Sequence, residues 1–112
     1  MSQACELGNK RCKPCEGGVA PLSQTEIDSL MSQLPGWKQH NQVIGKDYHF
    51  KDYYQTIAFV NAVAWMTHRE NHHPDLSVGY NACRVEYTTH AIGGLSDNDF
   101  ICAAKVDALR EP

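Results

Sequence analysis

The sequence predicts an α+β fold, a four-stranded antiparallel sheet with three helices packed on it in the order α-β-β-α-β-β-α. Three observations predict it. Helical stretches with their own N-terminal caps alternate with pairs of short, turn-bounded strands. The strand following Asn81-Ala82 alternates apolar and polar residues with a period of two. No internal repeat or low-complexity segment interrupts the order, so helices laid on one antiparallel sheet account for the whole chain.

The chain has 112 residues, 42% apolar and 21% charged, the composition of one globular domain. Residues Met1 to Pro21 mix Cys, Gly, Lys and Pro without hydrophobic periodicity, and are expected to form a flexible, Cys-bearing tail. The domain is expected to span 22–112. At Leu22 the pattern changes. Ser23 and Glu26 have the spacing of a capping box, and Leu22 and Ile27 that of a hydrophobic staple. Ile27, Leu30, Met31 and Leu34 then fall on one helical face until Pro35-Gly36 ends the run.

From Trp37 to Phe50 extended pieces are broken near Asn41 and Gly45, which reads as two antiparallel strands. Asp52 with Gln55 caps the next helix, and Tyr53 to Asn71 contains no Gly or Pro to stop it. The apolar residues of this helix, among them Ile57, Phe59, Val60, Val63, Trp65 and Met66, spread over more than one stripe. One sheet face cannot cover them all, so part of the helix is expected to meet another subunit.

After Pro74, Leu76 to Tyr80 and Cys83 to His90 flank a turn and form a hairpin. Cys83, Val85, Tyr87 and Thr89 make its core face, while Arg84, Glu86, Thr88 and His90 make its polar face. A Gly93-Gly94 loop leads to a second box, Ser96 with Asp99, and a staple spacing, Leu95 with Phe100. The last helix runs to about Arg110.

The net charge is −3, and no basic stripe appears outside Lys10, Arg11 and Lys13, which argues against nucleic acid and membrane surfaces as partners. The polar N-terminus and the absence of a long apolar run predict a cytoplasmic protein. Five cysteines, an odd number, fit a compartment where thiols stay reduced. Cys83 and Cys102 fall on apolar faces and read as core. Cys5, Cys12 and Cys15 include a C-x-x-C without the second pair that a zinc ribbon needs.

Six histidines are many for such a chain. In Asn71-His72-His73-Pro74, the proline drives His73 out of helical geometry, so two adjacent imidazoles project in different directions where the helix must stop. His90 closes the same cleft if the hairpin folds back beside the helix end. Imidazoles exchange protons near neutral pH without much tuning, so a cluster of them suits paired acid and base work. His40 and His49 read as surface residues. His68, one turn before His72 on the same face, is a possible neighbour of the site. A zinc reading is open to three imidazoles plus water. It ranks lower, because Glu70 is one position late for H-E-x-x-H. The expectation is a site with no metal. The absence of G-x-S-x-G, of G-x-x-x-x-G-K-S/T and of G-x-G-x-x-G removes support for covalent and nucleotide-dependent chemistry.

His72-His73-Pro74, Tyr80, Thr89-His90, Gly94-Leu95-Ser96 and Asp99, in that order, resemble the pterin-4a-carbinolamine dehydratase family over roughly Leu22 to Leu109. Asn98-Asp99-Phe100 followed by Ala103-Ala104 is similar to bacterial members. The resemblance implies a four-stranded antiparallel sheet with three helices, and dehydration of 4a-hydroxytetrahydrobiopterin to quinonoid dihydropterin and water without a cofactor. It further implies His72, His73 and His90 as the catalytic cluster, with His72, His73, Pro74, His90 and Asp99 around the substrate. His68 stands where many relatives carry a glutamate, and Ala91 where a polar residue is common. A homodimer or homotetramer is implied, as is a functional link to aromatic amino acid hydroxylases such as phenylalanine hydroxylase. The alternative is a dimerisation module acting in transcriptional regulation, as animal relatives do, with its function on the helix surface around Trp65.

Overall fold

The computed structural model describes residues 7–12 and 20–110. Helix α1 spans Gln24–Met31, strand β1 Lys38–His40, β2 Val43–His49, helix α2 Tyr53–Glu70, β3 Asp75–Val78, β4 Ala82–Tyr87 and helix α3 Asp97–Arg110. The sheet order is β1-β2-β4-β3, and each neighbouring pair is antiparallel. The expected α-β-β-α-β-β-α order is therefore the observed one.

The helix starts follow from their caps. Ser23 Oγ accepts from the Glu26 N–H at 3.2 Å, and Glu26 Oε1 accepts from the Ser23 N–H at 2.9 Å, completing the capping box of α1. Asp52 accepts from the Gln55 N–H at 2.9 Å and caps α2. At the other end of α2, Asn71 takes the left-handed conformation (φ 55°), and the His72 N–H returns to the Thr67 carbonyl. The helix is thus closed off by Asn71, three residues before Pro74.

Gly45 lies inside β2, paired with Lys38 and Glu86, and does not break the strand as its composition suggested. A Cβ there would come within 2.9 Å of the Arg84 guanidinium, so the glycine admits Arg84 and Glu86 across the outer face of the sheet. On the inner face Ile44 faces Tyr87, and Tyr48 faces Cys83. These residues join Phe59 and Val63 of α2 and Phe100, Cys102 and Val106 of α3 in the core. Lys46 shares that inner side, and its ammonium reaches Asp107 at 2.9 Å. Tyr48 Oη and Trp37 Nε1 bond the same carboxylate, so α3 is pinned over the sheet at its C-terminal half.

Residues 7–12, expected to belong to an unpacked tail, lie against α2 and α3. Leu7 is 3% exposed within the core, and Lys105 Nζ donates to the Gly8 carbonyl at 2.8 Å. One large apolar residue in so short a piece makes no periodic pattern, which is why the sequence did not disclose it. The expectation for residues 1–6 and 13–19 falls outside the described residues.

α2 buries one stripe, Thr56, Phe59, Val63 and Thr67. Trp65 is 66% exposed and Tyr54 82%. Among the described residues no helix is long and apolar enough to cross a membrane.

Candidate active site

β4 ends at Tyr87, and the polypeptide then turns away from the sheet. A bridge between Thr89 and Gly94 closes a tight loop, inside which residues His90–Ile92 form one 3₁₀ turn. His90 therefore opens this turn and does not end the strand, as the alternation had suggested. The alternation does hold through Thr89, which is buried with Cys83, Val85 and Tyr87.

This loop stands opposite the C-terminal end of α2. Between them lies a cleft of about 500 Å³, lined by His72, His73, His90, Thr88, Thr89, Ala91, Asn98, Asn71, Arg69, Glu70 and Cys12. A volume of that order suits a small organic ligand. The three clustered histidines share it. Pro74 and His68 are not among its lining residues. His68 is exposed and its ring faces Trp65, with centroids 6.0 Å apart. His40 and His49 are exposed strand residues, in line with the surface reading.

Asp99 does not line the cleft; it sits behind His72 with no exposed surface. Its Oδ1 is 2.7 Å from His72 Nε2, and its Oδ2 accepts from Thr89 Oγ1 at 2.7 Å and from the Ser96 N–H at 2.9 Å. The Ser96–Asp99 capping box is therefore half formed. Ser96 Oγ is 2.8 Å from Thr89 Oγ1. Since the single hydroxyl proton of Thr89 goes to Asp99, Ser96 donates to Thr89. The result is a polar chain, Ser96 to Thr89 to Asp99, with His72 on the other carboxylate oxygen. A carboxylate taken wholly out of water needs such donors, and its place in the first turn of α3 adds the favourable helix dipole.

His72 is further fixed by stacking on Tyr87, with ring centroids 5.5 Å apart and an interplanar angle of 14°. A carboxylate acceptor at Nε2 selects the tautomer with hydrogen on that nitrogen, leaving Nδ1 basic. His73 and His90 are exposed and open to solvent exchange. His73 makes a long contact, 3.4 Å, from Nδ1 to the Pro74 carbonyl. The cleft thus combines one imidazole held by a buried acid with two that stand in solvent.

Sequence reasoning did not find the wall formed by the N-terminal segment. The Cys12 N–H donates to Glu70 Oε1 at 2.9 Å, and Arg11 Nε pairs with Glu70 Oε2 at 3.1 Å. Burial alone would raise the Glu70 pKa. The Cys12 N–H, Lys105 and Arg11 outweigh it and hold the carboxyl below its ordinary value. Nor was Thr89 singled out as a partner of Asp99, although its place on the core face of β4 marked it as a buried polar residue in need of one.

The chain is similar to known proteins over most of its length. The family model described as pterin 4 alpha carbinolamine dehydratase matches residues 20–109. A relative from Nitrosospira multiformis, provisionally named pterin-4-alpha-carbinolamine dehydratase, is 67% identical over 93% of this chain and 92% of its own. One from Nitrosomonas eutropha with the same provisional name is 63% identical over 97% of each chain. Among solved structures, a transcriptional coactivator/pterin dehydratase from Brucella melitensis superposes with a TM-score of 0.78 at 26% identity, covering 81% of this chain and 99% of its own. A pterin dehydratase-like protein described as a RuBisCO assembly factor in the alpha-carboxysome superposes with a TM-score of 0.56 at 26% identity, covering 65% of this chain and 84% of its own.

Proposed function

The chain belongs to the pterin 4 alpha carbinolamine dehydratase family, and from that premise we propose that it dehydrates 4a-hydroxytetrahydrobiopterin by histidine acid and base catalysis. The observation that carries the proposal is the convergence of His72, His73 and His90 on one cleft, with Asp99 buried behind His72.

The reaction breaks the bond between ring carbon and hydroxyl and removes a proton from a ring nitrogen. Hydroxide is a poor leaving group, so an acid must protonate it as it departs, and a base must take the ring proton. His72 fits the base. Nε2–H is committed to Asp99, Nδ1 keeps its lone pair, and the imidazolium that forms is stabilised by an adjacent carboxylate. His73 or His90 fits the acid, and the other holds the ring. One turnover moves one proton onto His72 and one off its partner. The open cleft lets water restore both, and substrate equals product plus water with no redox step.

Asp99 serves as a positioning residue, and Thr89 and Ser96 position Asp99. The product is a quinonoid dihydropterin, which a separate reductant must return to the tetrahydro form before it serves again in the hydroxylation of aromatic amino acids such as phenylalanine, and we place this work in the cytoplasm.

The experiment is turnover of freshly generated carbinolamine by the purified full-length protein. Water loss accelerated well above buffer is expected. A folded protein with no acceleration would overturn the assignment and favour a protein-binding role, since similar structures are described as a transcriptional coactivator/pterin dehydratase and as an assembly factor.

A further inference from the structure

Two cysteines lie in contact at the cleft wall, and the proposed dehydration uses neither. Cys12 lines the cleft, Cys102 is buried in α3, and their Sγ atoms are 3.3 Å apart. Cys102 Sγ also approaches the His72 carbonyl at 3.8 Å, so the pair adjoins the backbone of the histidine cluster. We propose that Cys12 and Cys102 are a redox-closable dithiol, which hydrogen peroxide converts to a disulfide that tethers residues 7–12 to α3.

In the reduced protein the N-terminal segment is held only by non-covalent contacts: Leu7 in the core, the Gly8 carbonyl on Lys105, and Arg11 and the Cys12 N–H on Glu70. Such a segment can open and reclose, taking one wall of the cleft with it. A disulfide removes that freedom. The chemistry proceeds in two steps. The Cys12 thiolate attacks peroxide, whose O–O bond breaks, giving a sulfenic acid and, after protonation, water. The Cys102 sulfur then attacks the sulfenic sulfur, forming the S–S bond and releasing a second water. Two thiols are oxidised and one peroxide is reduced.

Geometry assigns the order of attack. Cys12 is partly exposed where peroxide can enter, whereas Cys102 is buried against Cys12, the His72 carbonyl and the Tyr87 side chain. The contact with Cys12 and burial push the Cys102 thiol upward in pKa. Cys102 therefore acts second, once Cys12 has been oxidised. The sulfur separation already lies within contact distance, so a short approach completes the bond.

The test uses full-length protein, reduced, freed of reductant and treated with equimolar hydrogen peroxide. A Cys5→Ser/Cys15→Ser double variant is run in parallel to remove competing thiols. Peptide mapping without reductant should join the Cys12 and Cys102 peptides in both proteins. Because the bond closes a loop across a sequence separation of 90, the unfolding midpoint should rise by roughly 10 °C and fall back with dithiothreitol. Cys12→Ser should show neither the link nor the rise. A link from Cys12 to Cys5 or Cys15, oxidation of Cys12 without a link, or a link that leaves the midpoint unchanged would each overturn the proposal. None of these readouts depends on dehydratase turnover.

Discussion

His72 Nε2 meets Oδ1 of Asp99 at 2.7 Å, where the carboxylate has lost all contact with solvent. The pair orients one imidazole, and Thr89 in turn orients the carboxylate. Asp99→Asn keeps the shape but presents the wrong hydrogen to His72 or Thr89. We expect turnover to fall by ~10² or more, with a smaller change in the Michaelis constant. Thr89→Val removes one donor to a buried charge, at a cost of about 1.5–3 kcal/mol in stability. It should also move the pH profile of kcat, which Thr89→Ser should restore. An unchanged profile in Thr89→Val would reduce Thr89 to a packing residue.

The histidines differ in exposure, so their substitutions should separate. His72→Ala, His73→Ala and His90→Ala should all fold, and those that transfer protons should lose ~10² to 10⁴ in rate. The histidine that mainly binds should raise the Michaelis constant instead. His40→Ala and His49→Ala are controls, and His68→Ala should join them because its ring faces Trp65 rather than the cleft. Steady-state kinetics on the six variants decide it, and equal damage in controls and cluster would remove the assignment.

Much of this site was legible because it sits where local rules end elements. The Asp52 cap and Pro74 bracketed α2, so His72 and His73 had to emerge at its end. The alternation of β4 correctly turned Thr89 inward. The path of the chain beyond Tyr87 was not legible, since the Thr89–Gly94 bridge is a contact between loop residues that no periodicity records. The half-formed box at Ser96 shows the same limit: the spacing predicted a reciprocal pair, but the serine hydroxyl turns to Thr89, which lies on another element. Leu7 packs into a core built by elements far along the chain, so composition alone left it in a tail.

Leu7 offers the direct test of that packing. Replacing a buried leucine by alanine typically costs about 2–5 kcal/mol, and Leu7→Ala should reach the lower part of that range because only a short segment depends on it. Denaturant melts would read the loss. Deleting residues 1–12 should lower the midpoint at least as far, and a deletion that leaves stability unchanged would show the segment to be dispensable.

Glu70 sets how the same segment responds to acid. Its carboxyl is held below the ordinary value of 4.5 in the folded protein, so the unfolded state binds the proton more readily. Its contribution is therefore fully present above about pH 4.5 and is lost as the pH falls through the depressed folded value. Glu70→Gln should be less stable than wild type at pH 7, and the difference should shrink as the pH drops below about 4. A difference that stays constant from neutral pH down to about pH 3 would remove the ion pairs with Arg11 and Lys105 as its source.

One face of α2 is left uncovered by the other described residues. Thr56, Phe59, Val63 and Thr67 turn inward, while Trp65 and Tyr54 stand largely in solvent. Exposed aromatic residues on a regular helix are of the type that interfaces are enriched in. We expect a homodimer or homotetramer that buries this face. If Trp65 is an anchor, Trp65→Ala should cost ~2 kcal/mol of association, about a 30-fold weaker dissociation constant. The fold itself should be unaffected, because the side chain lies outside the core of its own chain. Light scattering across a micromolar dilution series measures both proteins. Wild type running as a monomer throughout would rule the interface out, and an oligomer indifferent to Trp65→Ala would move it to another face.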